Sequence, residues 1–210
     1  GSREDEYEMR LAGKSYQEIA ETGGGIWSTV TNVRQSDKNE LKSLAAKKLA
    51  TFFSYGTTTL EGKSGYGLDI ENELKMLDVI NSLNSSNEFG IDVVPTFLGA
   101  HSIPREMSKE SYADLICNEM IPSVAKAHLS KYIDIFIEKG YFDVNDADRI
   151  LGEGVKHGLT PRTHIDQFTS MGGTEISLKH GAVSLDHLEV MSDEDIKLMA
   201  KYNESAERKT

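Results

Sequence analysis

Four short apolar runs in this chain each lead into a cluster of polar residues, and helix-like segments separate them. With their polar ends they cover residues 57–66, 93–101, 159–167 and 182–187, and the last three carry a histidine near the strand end. Parallel strands joined by crossover helices produce this alternation. Because the chemistry of a (β/α)8 barrel lies at the C-terminal ends of its strands, the pattern predicts a barrel whose polar clusters share one mouth.

Periodicity predicts about five strand–helix units, where a closed barrel needs eight. The predicted strands cover 57–60, 91–98, 133–137, 160–164 and 182–184, and the helices cover 39–55, 70–83, 109–129, 144–157, 172–180 and 193–202. Residues 4–22 are helix-like, and three glycines at 23–25 end that segment as a tight turn or mobile loop. A phosphate loop is disfavoured there because no Gly-Lys-Ser/Thr follows. The predicted fold class is therefore α/β, an incomplete TIM barrel that occupies residues 1–210 as one partial domain.

Charge and cysteine content narrow the class of protein. The 34 acidic residues outnumber the 23 basic ones, giving a net charge of −11. This argues against nucleic acid or an anionic membrane as partner, but leaves an anionic small-molecule substrate open.

Cys117 is the only cysteine and has apolar neighbours, so we expect a buried structural thiol and no disulfide. A single cysteine, no signal-like N-terminus and no long apolar run predict a cytoplasmic protein, and the charge fits a monomer or a homodimer equally.

The six histidines divide into two groups. His128, His157 and His180 lie on predicted helices or at their ends, where solvated side chains are expected. The remaining three, His101, His164 and His187, follow predicted strands. Each alone would be read as a core histidine satisfied by hydrogen bonds, but three at successive strand ends favour a shared site.

Histidines grouped in a barrel mouth suit metal chemistry. Neutral imidazole is the commonest protein ligand for zinc or iron, and such a metal lowers the pKa of bound water to about 7. A second imidazole can move protons. Acidic neighbours that could orient a ligand are Glu61, Asp166, Asp186 and Glu189. Alternation along a strand predicts that Asp166 and Asp186 point away from the adjacent histidines.

Arg3 and Tyr66 complete the polar set. An arginine can pair with a carboxylate in bidentate geometry, and Tyr66 lies between two glycines on a loop that can close over a ligand. A surface arginine and a packing tyrosine are equally compatible with the residues alone.

Several motifs, in order along nearly the whole chain, resemble the imidazolonepropionase family of metal-dependent amidohydrolases. The matching segments are GSRE at 1–4, GGGI at 23–26, EGKSGYGL at 61–68, GAHSIP at 99–104, IEKG at 137–140 and DHLE at 186–189. The resemblance implies a barrel with one zinc or iron ion and a small β-sandwich built from both chain ends. It also implies hydrolysis of the ring amide of 4-imidazolone-5-propanoate to N-formimidoyl-L-glutamate, in histidine degradation.

The resemblance also implies roles for individual residues. The implied set is His164 as metal ligand, Arg3, Tyr66, His101, Gln167 and Tyr16 as substrate contacts, and His187 and His101 as catalytic groups, with His187 relaying a proton. Gln167 stands where some relatives carry Glu; it can bind and orient but cannot act as a base.

The chain departs from the family pattern at its ends. A His-x-His pair on the first strand and an Asp ligand on the last are expected outside residues 1–210, so His164 is the one expected ligand present. The isolated chain is therefore expected to be a catalytically incomplete fragment. Two further functions stay open: a different cyclic-amide hydrolase or deaminase of the same superfamily, and a metal-free lyase using Lys63 as a Schiff base.

Overall fold

The computed structural model of the chain describes residues 4–14, 18–19, 25–86 and 88–207, with side chains described up to Asn203 in the last helix. Within these residues five parallel strands form one sheet whose spatial order follows the sequence. The strands are β1 (Thr59–Lys63), β2 (Asp92–Ala100), β3 (Tyr132–Phe136), β4 (Thr160–Ile165) and β5 (Leu185–His187). The α/β class and the five strand–helix units predicted from the sequence are confirmed.

Helices precede and connect the strands. They are α1 (Glu4–Leu11), α2 (Ile26–Gln35), α3 (Lys38–Ser54), α4 (Ile70–Ser86), α5 (Lys109–Leu115), α6 (Ile121–Lys126), α7 (Val144–Lys156), α8 (Gly173–Lys179) and α9 (Asp193–Glu207). A π-helical turn, Ile116–Met120, joins α5 to α6. Pro122 has no N–H to donate to the preceding turn, which accounts for the wider turn at this point. None of the described helices has the length and apolar character needed to cross a membrane.

The sheet curls into half of a barrel with two different faces. Ile133 and Ile135 of β3 are fully buried against the helices, together with Phe97 of β2. Side chains alternate along a strand, so Asp134, which lies between the two isoleucines, points to the opposite, concave face. The apolar core therefore fills the convex side under the helices, and polar groups collect inside the curl.

Local signals in the sequence define where α7 begins. Asp143 accepts hydrogen bonds from the N–H groups of Asn145 (2.8 Å) and Asp146 (3.1 Å), and Asp146 accepts one in return from the Asp143 N–H (3.0 Å). This reciprocal capping box satisfies N–H groups that have no partner within the helix. Lys109 Nζ lies 2.7 Å from both carboxylates and ties α5 to the same helix end.

Some element bounds differ from the sequence prediction. Within the helix-like stretch predicted over 4–22, which Gly13 was expected to interrupt, α1 ends at Leu11, Gly13 has φ of 88°, and Glu18 and Ile19 are helical again. Helix α2 was not predicted, although its Val30 and Val33 are buried. Strand β5 lies three residues later than predicted, because residues 182–184 make the connection from α8.

Candidate active site

A cavity of about 400 Å³ opens at the C-terminal ends of the strands, where the sequence predicted the mouth of a barrel. Its lining combines histidines, a lysine, an arginine and aromatic side chains. The lining residues are Arg10, Ile26, Lys63, Tyr66, Leu98, His101, Phe136, Tyr141, His164, Gln167, Phe168 and His187.

Most of the residues singled out in the sequence share this cavity. Those that line it are Tyr66, His101, His164, Gln167 and His187. Arg3 and Tyr16 lie outside the described residues, so their predicted contacts with substrate stay predictions. By contrast, His157 and His180 cap the ends of α7 and α8, in agreement with their predicted structural placement.

The three strand-end histidines form a cluster around Phe136. The ring centroids of His101 and His164 are 6.4 Å apart, and those of His164 and His187 are 5.3 Å apart. The Phe136 ring lies 6.3 to 6.5 Å from each imidazole and supplies an apolar wall between them. One small ring-shaped ligand could therefore meet all three imidazoles at once.

The bulge in β2 aims His101 into this cluster. Phe97 pairs with Ile133 and Ala100 with Ile135, so β2 carries one residue more than β3 over the same span. An extra residue turns the strand end, a device common next to active sites.

Below the histidines, the charged side chains of Glu61, Lys63, Asp134 and Asp186 form one network, which Arg162 joins through Glu61 Oε1 at 2.8 Å. Lys63 Nζ donates hydrogen bonds to Asp134 Oδ2 and Asp186 Oδ2, both at 2.7 Å, and lies 3.4 Å from Glu61 Oε2. His164 Nδ1 lies 2.9 Å from Asp134 Oδ1. Asp134 was not predicted as a site residue, although a charge in the middle of a buried apolar strand signals an inward-facing position.

Electrostatics fixes the protonation state of this network. Burial acts to raise the pKa of Asp134, but the hydrogen bond and charge of His164 and the Lys63 ammonium outweigh it and lower the pKa. Burial likewise acts to lower the pKa of Lys63, but Asp134, Asp186 and Glu61 together raise it. Lys63 is therefore held as an ammonium, whereas a Schiff-base lysine must be neutral. This argues against the metal-free lyase.

An ionised Asp134 also orients the ring of His164. A carboxylate can only accept, so Nδ1 of His164 donates to Asp134 and Nε2 is the ring nitrogen turned toward the cavity. His164 Nε2 lies 3.9 Å from Asp186 Oδ2, and Asp134, His164 and Asp186 offer three ligand atoms within 4.8 Å of one another. Imidazole nitrogen and carboxylate oxygen are donors that suit zinc or iron. The donor chemistry fits a metal ion, although Lys63 holds two of the same oxygens.

Asp186 does not follow the orientation predicted for it. Alternation predicts that Asp186 points away when His187 faces the cavity. Asp186 does not line the cavity, but its Oδ2 lies on the same side of the sheet, 2.7 Å from Lys63 Nζ and 3.9 Å from His164 Nε2. His187 has φ of 77° and Leu188 has φ of 67°, and this left-handed backbone turns the His187 side chain back over the strand end. The His187 imidazole also lies 3.3 Å from Glu189 Oε1. Asp166 is also absent from the cavity lining. Alternation does not explain this, since residues two apart on a strand share a face, but the strand ends at Ile165 and Asp166 has a left-handed backbone with φ of 53°.

A buried carboxylate positions the loop that bears Gln167. Glu138 Oε2 accepts hydrogen bonds from the N–H groups of Phe168 (2.9 Å) and Thr169 (3.1 Å), and Oε1 accepts one from Lys139 N–H (2.8 Å). Burial acts to raise the pKa of Glu138, but these bonds outweigh it and lower the pKa. Gln167 is thus presented to the cavity from a fixed backbone.

His101 and Tyr66 form a second polar wall. His101 Nδ1 donates to the Gly65 carbonyl at 3.0 Å, and the Tyr66 ring stands edge-on to the imidazole with centroids 5.0 Å apart. Burial, with His164 close by, lowers the pKa of His101 to about 4. At neutral pH its Nε2 is therefore an acceptor facing a ligand.

Several cavity residues went unnoticed in the sequence, Arg10 and Phe168 among them. Arg10 lines the mouth from α1, and Phe168 lines it with 67% of its surface exposed. An arginine in an acidic helix and an aromatic residue in a loop carry no pattern that separates them from ordinary surface residues.

A curled parallel sheet with imidazoles and carboxylates at its C-terminal edge defines an incomplete (β/α)8 barrel. No family model matches the chain. Curated proteins named imidazolonepropionase do match it: one from Christiangramia forsetii is 46% identical over 95% of this chain, and one from Thermoanaerobacter pseudethanolicus is 46% identical over 96%. One from Haloarcula marismortui is 43% identical over 93% of this chain.

These matches confirm the resemblance found in the sequence: the chain is similar to curated imidazolonepropionases over nearly its whole length. It spans about half the length of the curated relatives it matches, 48%, 48% and 46% of the three proteins named.

Proposed function

We propose that this chain is the central barrel portion of an imidazolonepropionase, which hydrolyses the ring amide of 4-imidazolone-5-propanoate to N-formimidoyl-L-glutamate. The observation that carries the proposal is the 43–46% identity to proteins of that name over nearly the whole chain. The cavity agrees with it, because five residues chosen from the sequence line one space large enough for a small ring. A first strand with His-x-His, the last strands and a β-sandwich would be contributed by sequence outside residues 1–210.

The five predicted residues that line the cavity would each have a role in this reaction. His164 would hold one zinc or iron ion through Nε2, with ligands from outside the chain, while Asp134 fixes its ring. When bound, that metal would polarise the ring carbonyl and lower the pKa of water. Tyr66, His101 and Gln167 would bind and orient the imidazolone, and Arg3 and Tyr16 would complete the contacts with the substrate.

Proton transfer would fall to His187 with His101 in support. His187 lies at the cavity wall beside His164, with Glu189 in contact with its Nδ1. Gln167 cannot serve as a base. A neutral His101 presents Nε2 as an acceptor for a ring N–H, since burial keeps its pKa at about 4. The protein would act in the cytoplasm on a small molecule, as a monomer or a homodimer.

The test compares this chain with the same chain extended at both ends to the length of its relatives. We expect the extended protein to retain about one zinc or iron by elemental mass spectrometry and to hydrolyse 4-imidazolone-5-propanoate. The 210-residue chain should do neither, because one imidazole and shared carboxylates make a weak site.

His164→Ala in the extended protein should abolish both metal retention and turnover. His157→Ala, at the end of α7 and far from the cavity, is the matched control and should keep both. Full metal content and activity in the His164→Ala variant would refute the ligand role, and a wild-type extended protein without metal or turnover would refute the proposed function.

A further inference from the structure

The loop between β1 and α4, residues 64–69, is held by a buried carboxylate. We call it the Tyr66 loop. Glu73, fully buried in the first turn of α4, accepts hydrogen bonds from the N–H groups of Gly65 (2.9 Å), Gly67 (2.7 Å) and Leu68 (3.0 Å). In the described part of the chain no lysine or arginine pairs with it; its hydrogen-bond donors are these N–H groups and the Ser64 hydroxyl, which offset burial only in part, so the pKa of Glu73 is raised.

An arginine holds the same loop by its carbonyl groups. Arg34 of α2 donates from Nε to the Gly67 carbonyl at 2.7 Å and from Nη2 to the Leu68 carbonyl at 3.2 Å. Its Nη1 pairs with Glu106, on the segment that follows His101, at 2.7 Å. Gly67 and Leu68 are therefore bonded on both sides, their N–H groups to a carboxylate and their carbonyls to a guanidinium.

The hydrogen bonds of Glu73 and Arg34 to the loop backbone fix the position of two side chains in the cavity. Tyr66 lies between Gly65 and Gly67, which are both fixed, and the Gly65 carbonyl accepts the hydrogen bond from His101 Nδ1. Movement of the loop would displace the Tyr66 ring and release the bond that assigns the His101 tautomer. A loop that only connected a strand to a helix would not need a buried charge, which is costly to desolvate.

We propose that Glu73 and Arg34 are positioning residues, which hold the Tyr66 loop so that Tyr66 and His101 meet the ring of the substrate in fixed geometry. Neither residue lines the cavity, so they act through the loop. This inference rests on the proposed function for the identity of the substrate, but the arrangement of the loop can be tested without it.

The first experiment uses the 210-residue chain and amide hydrogen exchange. Glu73→Gln keeps the volume of the side chain but replaces one acceptor oxygen with an NH2 group facing N–H donors. We expect exchange of the Gly65, Gly67 and Leu68 amides to accelerate by roughly tenfold or more. The matched control is Ser130→Ala, which removes a buried hydroxyl bonded to the Pro95 carbonyl at the opposite end of the strands. Equal exchange at these amides in the two variants would overturn the proposal.

The second experiment uses the extended protein and a double-mutant cycle. Glu73→Gln, and Arg34→Lys as a milder variant that keeps the charge, should raise the KM for 4-imidazolone-5-propanoate by roughly tenfold. In a Tyr66→Phe background the same changes should cost much less, because the loop then has less to position. Ser130→Ala should leave KM unchanged.

Effects of Glu73→Gln and Tyr66→Phe that simply multiply would overturn the positioning role even if the loop exchanges faster. If the wild-type extended protein does not hydrolyse the substrate, the proposed function fails, while the exchange rates still decide whether Glu73 holds the loop.

Discussion

The fully buried carboxylate of Asp134 holds both the imidazole of His164 and the ammonium of Lys63 in place. One oxygen fixes the ring of His164, and the second accepts from the Lys63 ammonium. A buried carboxylate without partners would take up a proton, but here the partners outweigh burial and its pKa is lowered. The carboxylate below the cavity is therefore charged but fully hydrogen-bonded, and the His164 ring is held with Nδ1 on Asp134.

His101 should make the stability of the chain depend on pH. Burial lowers its pKa from 6.5 to about 4 in the folded state. His101 takes up a proton near pH 6.5 in the unfolded chain but only near pH 4 in the folded chain. Its contribution to the free energy of unfolding is therefore complete above pH 6.5 and is lost as the pH falls toward 4. The full shift corresponds to on the order of 3 kcal/mol.

Urea unfolding of the wild type and of His101→Gln at pH 7.5 and 4.5 measures this contribution. The wild type should lose more stability than the variant between the two values, since the carboxylates titrate in both. Equal losses would show that His101 does not keep its proton-free state in the folded chain.

At the scale of elements, the sequence was informative where periodicity was strong and less so at the ends. Five strands and the helices between them follow from apolar runs and spacing, because parallel strands buried on the helix side need continuous apolar residues. The bounds of β5 could not be predicted, since the left-handed backbone at His187 and Leu188 depends on tertiary contacts. Helix α2 was missed because only Val30 and Val33 of its ten residues are buried.

The candidate site could be predicted only in part. The pattern of polar residues at strand ends identified His101, His164 and His187, and the family motifs identified Tyr66 and Gln167. Asp134 and Glu73 were missed, because each acts on a neighbour across the fold and leaves no local pattern.

Gly65 of the Tyr66 loop allows a prediction about the stability of the folded chain. Gly65 has φ of 95°, and a Cβ there would lie 2.6 Å from the Leu98 carbonyl oxygen and 3.0 Å from His101 Cβ. Gly140 has a similar φ of 86°, but a Cβ there meets nothing within 4 Å. Gly140→Ala should therefore cost about 1 kcal/mol for the left-handed backbone alone.

Gly65→Ala should lower the free energy of unfolding by roughly 3 kcal/mol or more, because it adds a clash with backbone to the same strain. Urea unfolding of both variants at pH 7.5 measures the difference. A cost no greater than that of Gly140→Ala would mean that the loop can move away from β2 without penalty.

For the whole molecule, the sheet ends in two strands that have one partner each among the described residues. β1 and β5 form the edges, and the helices next to them in sequence carry exposed apolar side chains, including Phe53 of α3 at 52% and Ile196 of α9 at 54%. Unpaired edges and exposed apolar residues favour association between chains.

We expect the 210-residue chain to self-associate with rising concentration, as measured by sedimentation velocity. Thr59→Lys, an exposed position on the β1 edge, should weaken this association because an edge lysine opposes strand pairing. Thr51→Lys, on the exposed surface of α3, adds the same charge away from the edge and is the matched control. Equal association of the two lysine variants would show that the β1 edge is not the contact.

The ladder of strands has a consequence for the order in which the fold assembles. Each strand pairs with the one made just before it, so a chain growing from its N-terminus always finds its partner already present. Lys63 must later meet Asp186, 123 positions away, but its bond to Asp134 at 71 positions shortens that search in advance. Closing the second contact then carries the entropy of a much shorter loop. Synthesis from the N-terminus and the contacts of Lys63 with Asp134 and Asp186 therefore favour the same order of strand addition.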